Sequence, residues 1–160
     1  MKKCVFAGTF DPPTKGHTEV IEKCLKIFDE VVVAVMVNPD KRPLISAEQR
    51  QSLLKKLYKT RPQVKVRTFH GVAADLLREE NTPFYVRGVR NTVDFEYENQ
   101  DRFASKKLYG DMITIYIPAE QESMHVSSSA VKTCVKFGKD FADYVPVEIL
   151  EDLKKILEKK

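Results

Sequence analysis

The chain is 160 residues long and 42% hydrophobic, which supplies one sizeable core and leaves too little length for a second domain. Its 27 basic and 23 acidic residues give a net charge of +4, too mild for a dedicated nucleic-acid binder and suited to an enzyme of polyanionic metabolites. Cys4, Cys24 and Cys134 are widely spaced, with no Cys-x-x-Cys pair, so they read as small apolar fillers in a reducing compartment rather than a disulfide framework or zinc site.

Met1-Lys2-Lys3 leads straight into a first short strand, Cys4–Ala7, without the apolar region and cleavage site of a signal peptide. No run approaches the ~20 apolar residues of a membrane span, and a cytoplasmic location is expected. Next comes Gly8-Thr9-Phe10-Asp11-Pro12-Pro13-Thr14-Lys15-Gly16-His17, a glycine-framed turn into an amphipathic helix. Such turns make phosphate sites, because glycine lets backbone N–H groups approach an anion and the helix N-terminus adds partial positive charge. Val20, Ile21, Cys24, Leu25 and Phe28 form the helix's apolar stripe.

A second strand, Val31–Val37, runs into Asn38-Pro39-Asp40-Lys41-Arg42, where Lys41 offers a compact charge. The capping box Ser46-Ala47-Glu48-Gln49 opens a helix striped by Leu53, Leu54, Leu57 and Tyr58. Val64–Phe69 is a third strand, followed by a short helix carrying Val72, Ala73, Leu76 and Leu77. Phe84–Val86 is a fourth, leading to Arg87-Gly88-Val89-Arg90, two planar guanidinium forks flanking a glycine. A polar-rich helix spans Thr92 to Leu108, with more aromatic and aliphatic residues (Phe95, Tyr97, Phe103, Leu108) than one face can bury. Met112–Ile117 is the fifth strand, and its loop ends in Val126-Ser127-Ser128-Ser129, where Ser127 or Ser128 caps a helix running to Lys136. The last helix, Pro146 to Leu157, has proline at its first position.

Strands alternating with helices imply right-handed β-α-β crossovers, hence a Rossmann-like α/β fold: one doubly wound, five-stranded parallel sheet ordered 3-2-1-4-5, with C-terminal helices, over residues 1–160. Ligands of such sheets bind where the winding reverses, here between strands 1 and 4. The polar segments after strands 1, 2, 4 and 5 converge there. Singly, each has an ordinary explanation: a His near a helix start is a polar cap, three serines a turn, paired arginines a solvated surface. Their order and placement together favour a phosphate-handling cleft.

With Thr14-Lys15-Gly16-His17 as a Thr-x-Gly-His variant of the His-x-Gly-His signature, the chain resembles the nucleotidyltransferases. Arg87-Gly88-Val89-Arg90 followed by Asp94-Phe95-Glu96-Tyr97-Glu98, and Val126-Ser127-Ser128-Ser129 with Val131-Lys132, resemble the phosphopantetheine adenylyltransferase branch over nearly the whole length. The resemblance implies transfer of the adenylyl group of ATP to 4′-phosphopantetheine, giving dephospho-coenzyme A and pyrophosphate, with Mg²⁺ on the ATP phosphates and no metal held by the protein. It implies that His17, Lys41 and Arg90 act on the reacting groups, and that Thr9, Lys41, Ala73 and Arg87 bind the acceptor. ATP falls to Thr9, Phe10, His17, Gly88, Val89, Arg90, Glu98, Ser123, Met124, His125, Val126, Ser127, Ser128 and Ser129. Coenzyme A is a further implied ligand, and a homohexamer of two stacked trimers the implied assembly. Two positions depart from the usual pattern: Ala73 is smaller than the Leu or Met often found there, and Val126 replaces a common Ile. An adenylyltransferase of nicotinamide or nicotinate mononucleotide and a non-catalytic nucleotide-binding module are the alternatives.

Overall fold

The five β-rich segments form one parallel sheet in the computed structural model, which describes residues 1–40 and 42–159, with Asp101 described by its backbone alone. In chain order the elements are β1 (Lys3–Gly8), α1 (Lys15–Cys24), β2 (Glu30–Met36), α2 (Ala47–Leu57), β3 (Val64–Phe69), α3 (Ala73–Glu79), β4 (Phe84–Val89), α4 (Thr92–Leu108), β5 (Ile113–Pro118), α5 (Ser128–Lys136) and α6 (Val147–Glu158). The sheet order is β3-β2-β1-β4-β5, as the crossover rules predict. β1 pairs with β2 from Lys3↔Glu30 to Gly8↔Val35 and with β4 at Phe6↔Val86, so the winding reverses between β1 and β4.

Period-two alternation sends neighbouring residues of each strand to opposite faces. Cys4, Phe6, Val31, Val33 and Val35 pack under α1 and α2, while Val5, Ala7, Val32 and Ala34 pack against α3 on the other face. Both faces being covered, β1 and β2 are near-continuous buried apolar runs, as parallel strands are expected to be. A third apolar cluster, with Ile45, Leu53, Val131 and Ile149, ties α2 to α5 and α6.

Two local expectations change. β4 continues to Val89 instead of stopping at Val86, because Arg87, Gly88 and Val89 keep pairing with Tyr116, Ile117 and Pro118 of β5. Gly88 is needed there for packing: a Cβ on it would stand 2.8 Å from Val20 Cγ2 of α1. Pro146 occupies the N-cap of α6, one residue before the first helical position. The capping box of α2 forms as read, with Ser46 Oγ accepting from Gln49 N at 3.2 Å and Gln49 Oε1 from Ser46 N at 2.8 Å. No helix among the described residues is long and apolar enough to cross a membrane.

Candidate active site

The turn after β1 is fixed by groups that satisfy one another. Phe10 takes a left-handed φ of 51°, rare outside glycine, and its buried ring meets those of Phe6 and His17 edge-on at 5.3 and 4.7 Å between centroids. Asp11, also buried, accepts from Leu44 N (2.8 Å) and Ile45 N (2.9 Å) and pairs with Lys132 Nζ (2.9 Å), binding the turn to the segment before α2 and to α5. Thr14 is the N-cap of α1, and its N–H donates to His17 Nδ1 at 3.0 Å.

That bond decides the tautomer of His17. A ring nitrogen that accepts a backbone N–H carries no proton, so the neutral imidazole bears its hydrogen on Nε2. Burial first, then the charges of Arg90 and Arg87, push its pKa down to about 4. His17 is therefore a neutral hydrogen-bond donor at physiological pH, in a cavity that also holds the guanidinium forks of Arg87 and Arg90 and their carboxylate partners.

Both forks are held from α4. Arg87 meets Glu98 in a two-bond pair, Nε to Oε2 at 2.5 Å and Nη2 to Oε1 at 2.6 Å, and its Nη1 donates to the Ala7 carbonyl of β1 at 2.7 Å. Arg90 meets Asp94 the same way, Nε to Oδ2 at 2.8 Å and Nη2 to Oδ1 at 3.2 Å. The carboxylates lie four residues apart on one face of α4, and Asn91 caps that helix by accepting from Asp94 N at 2.9 Å.

The serine loop closes the opposite side. Ser127 caps α5, its Oγ accepting from Ala130 N at 3.0 Å, and Ser128 Oγ donates to the Pro12 carbonyl at 2.8 Å, so the N-terminus of α5 lies against the β1–α1 turn. The loop before it is clamped to α1: Lys23 Nζ bonds the Pro118 carbonyl (2.8 Å) and pairs with Glu19 (2.9 Å) and Glu120 (2.6 Å), while Glu120 N donates to Glu19 at 2.8 Å.

These walls enclose a cavity of about 290 Å³ at the carboxyl ends of β1 and β4. Of the residues expected at the site, Thr9, Phe10, His17, Arg87, Gly88, Val89, Arg90, Glu98, Ser123, Val126, Ser127, Ser128 and Ser129 line it. Lys41 lies outside the described residues. Ala73 is brought to neither this cavity nor a second one at the end of β2: it is 7% exposed and packed with Phe69, Leu76, Leu77 and Tyr85 beneath the sheet. Met124 and His125 lie outside the lining as well, both exposed, the His125 ring edge-on to Tyr144 at 5.8 Å. Glu98, expected on the nucleotide, has its carboxylate on Arg87.

Sequence reading passed over Asp94 as a partner of Arg90, Thr14 as the group that sets the His17 tautomer, and Glu19 and Lys23 as the clamp. The i,i+4 spacing of Asp94 and Glu98 behind two arginines was an available signal for the first. Among the described residues, no three His, Cys, Asp or Glu side chains group as a metal site.

The cytidylyltransferase-like family model matches residues 5–134. The phosphopantetheine adenylyltransferase of Clostridium tetani is 40% identical over 155 residues, covering 97% of each chain, and that of Nautilia profundicola is 38% identical, covering 94% of this chain and 98% of the relative. A crystal structure from Vibrio parahaemolyticus, assigned as a nicotinate-nucleotide adenylyltransferase, shares the fold with a TM-score of 0.67 at 23% identity, covering 96% of this chain and 99% of that one. With the reversal at β1/β4 and the Gly-His turn facing two arginines, these likenesses place the chain in the cytidylyltransferase-like family, among the phosphopantetheine adenylyltransferases.

Proposed function

We propose that the chain transfers the adenylyl group of ATP to 4′-phosphopantetheine, forming dephospho-coenzyme A and pyrophosphate. The observation that carries this reading is the convergence of a neutral Nε2–H donor on His17, the forks of Arg87 and Arg90, and the N-terminus of α5 on one cavity. An oxygen of the acceptor phosphate attacks the α-phosphorus, the bond from that phosphorus to the bridging oxygen of the β-phosphate breaks, and pyrophosphate leaves with the electron pair. A phosphate monoester has a second pKa of about 6 and is largely ionised near neutral pH, so no general base is required. Catalysis reduces to positioning and charge stabilisation.

Within that reaction His17 donates from Nε2 to the charge that builds on the α-phosphate. Arg90, the backbone of Gly88 and Val89, and the serine N-terminus of α5 hold the triphosphate. Thr9, Lys41 and Arg87 receive the acceptor phosphate, with Glu98 holding the Arg87 fork in place. Asp94 and Glu98, the carboxylates lining the cavity, are each bound by an arginine, so the donor set fits Mg²⁺ that arrives on the nucleotide with phosphate and water oxygens as its ligands. When bound, the ion neutralises charge on the phosphates.

Three further elements complete the proposal: one nucleotidyltransferase domain spanning residues 1–160, a cytoplasmic location, and a hexamer of two stacked trimers that also binds dephospho-coenzyme A and coenzyme A. Tyr97 and Phe103 of α4 are 69% and 57% exposed, and Val93 and Leu108 of the same helix are exposed too, apolar side chains that a neighbouring copy would cover.

Pyrophosphate release with ATP, Mg²⁺ and a panel of phosphorylated acceptors tests the reading. Turnover is expected with 4′-phosphopantetheine and not with nicotinamide or nicotinate mononucleotide, and equal turnover with either mononucleotide would overturn it. Nucleotide binding without pyrophosphate release from any acceptor would instead mark a binding module.

A further inference from the structure

Arg50 is a charged residue that the chemistry above leaves unused. It stands near the start of α2 and is 3% exposed. A buried guanidinium is ordinarily matched by a carboxylate, yet among the described residues all the hydrogen bonds of Arg50 go to carbonyl oxygens. Nη1 donates to Thr9 at 2.7 Å and, at 3.5 Å, to Met36, and Nε donates to Ser46 at 3.3 Å. Asp11 and Glu48 act on it only at longer range, and the Asp11 carboxylate is already taken by Leu44 N, Ile45 N and Lys132.

The three carbonyls mark the end of β1, the end of β2 and the cap of α2, so one side chain ties together the segments around the carboxyl edge of two strands. Thr9, which receives its shortest bond, lines both the cavity at β1 and β4 and a second one of about 350 Å³ at the end of β2, to which Arg50 and Lys132 also contribute. The residue after Thr9 is Phe10, whose left-handed backbone persists only where its surroundings hold it. A neutral side chain would fill the same space without the desolvation cost, but it would leave the Thr9 carbonyl free to turn.

We propose that Arg50 is a positioning residue for adenylyl transfer: by holding the Thr9 carbonyl it sets the Thr9–Phe10 backbone where the two cavities meet. A phosphate arriving through the second cavity then faces the α-phosphorus of a nucleotide in the first. The proposal rests on the adenylyltransferase reading, and it assigns Arg50 to the transfer step rather than to nucleotide affinity.

Arg50→Lys and Arg50→Gln, assayed for dephospho-coenzyme A formation well below the lower of their melting temperatures, test it alongside ATP binding by calorimetry. Misplacement of reacting groups by about 1 Å costs on the order of 10²-fold, so kcat should fall at least about tenfold in both variants with the ATP dissociation constant within about twofold of wild type. In a double-mutant cycle with Thr9→Ala, the loss from Arg50→Lys should shrink, because the Thr9 hydroxyl that the held backbone aims into the cavities is gone while the carbonyl that Arg50 grips remains. Wild-type kcat in either variant, a fall in kcat matched by an equal loss of ATP affinity, or additive losses in the cycle would overturn the proposal. Failure of the wild-type protein itself to form dephospho-coenzyme A would overturn the functional reading instead.

Discussion

On the α1 wall of the cavity each polar group has a bond to the chain's own backbone, Thr14 N–H to His17, Asp11 to Leu44 and Ile45, Lys23 to Pro118, with the ion pairs Asp11–Lys132 and Lys23–Glu19 added to them. The α4 wall is tied mainly by side-chain pairs, Arg87 with Glu98 and Arg90 with Asp94, with one backbone anchor from Arg87 to the Ala7 carbonyl. Its outer side carries Val93, Tyr97, Phe103 and Leu108 uncovered, whereas α1 buries Val20, Ile21 and Cys24 completely or nearly so. The contrast teaches that one wall is finished by this chain, with geometry set before any ligand arrives. The other holds its forks with carboxylates of its own helix, and several apolar side chains of that helix stay exposed.

The largest expected effect lies on the finished wall. Removing one preorganised donor to developing charge typically costs ~10²–10³ in rate, so His17→Ala should lower kcat by that factor. The ATP dissociation constant should stay near wild type, with only the modest stability loss of a missing capping partner. A variant with normal kcat and weak ATP binding would make His17 a ground-state ligand and place the transition-state contacts elsewhere.

On the α4 wall the effects should be smaller and divided by substrate. A charge-assisted bond contributes roughly 1.5–3 kcal/mol, so Arg87→Ala should raise the acceptor KM about ten- to a hundredfold and Arg90→Ala the ATP KM by a similar factor. Glu98→Gln, which leaves Arg87 in place but loosens its fork, should follow Arg87→Ala at reduced size. Equal shifts in both constants from either arginine variant would abolish the division of labour.

The uncovered side of α4 gives a sixfold effect, in mass. Sedimentation equilibrium of the wild type should return about six times the 18.4 kDa chain, and Phe103→Glu combined with Tyr97→Glu should shift it toward smaller species. A fully active monomer would show that the α4 wall is complete without a neighbour.

The same contrast governs what the sequence disclosed. Strand positions and the 3-2-1-4-5 order were legible because β-branched runs and crossover handedness are local or topological rules, and the glycine turn and serine cap carry their signals in adjacent residues. Partners brought together only by folding were not legible. The persistence of β4 through Gly88 depends on β5, the occupancy of both arginine forks depends on where α4 docks, and the grip of Arg50 on Thr9 joins residues 41 apart. The packing of Ala73 against Phe69, Leu76 and Leu77 was not legible for a related reason, since it too depends on how α3 docks on the sheet.

The smallest expected spectroscopic effect is a His17 ring that does not titrate between pH 8 and 5, and it probes why the α1 wall is rigid. The His17 pKa falls from 6.5 to about 4 on folding, so between those values the unfolded chain takes up a proton that the native site refuses. Stability from this group is therefore complete above pH 6.5 and is lost as pH falls toward 4, with a slope of at most about 1.4 kcal/mol per pH unit. Below pH 4 both states are protonated and no further change arises from it. The melting temperature of wild type minus that of His17→Asn, which cannot take the proton, should narrow steadily from pH 7 to pH 4.5. The ring resonances of His17 should stay unchanged from pH 8 to 5, with Nε2 protonated and Nδ1 bare. A titration midpoint near 6.5 would mean that neither burial nor the Thr14 bond keeps Nδ1 bare, and His17 would then act near neutral pH as a cationic donor for part of the time instead of the neutral one the site describes.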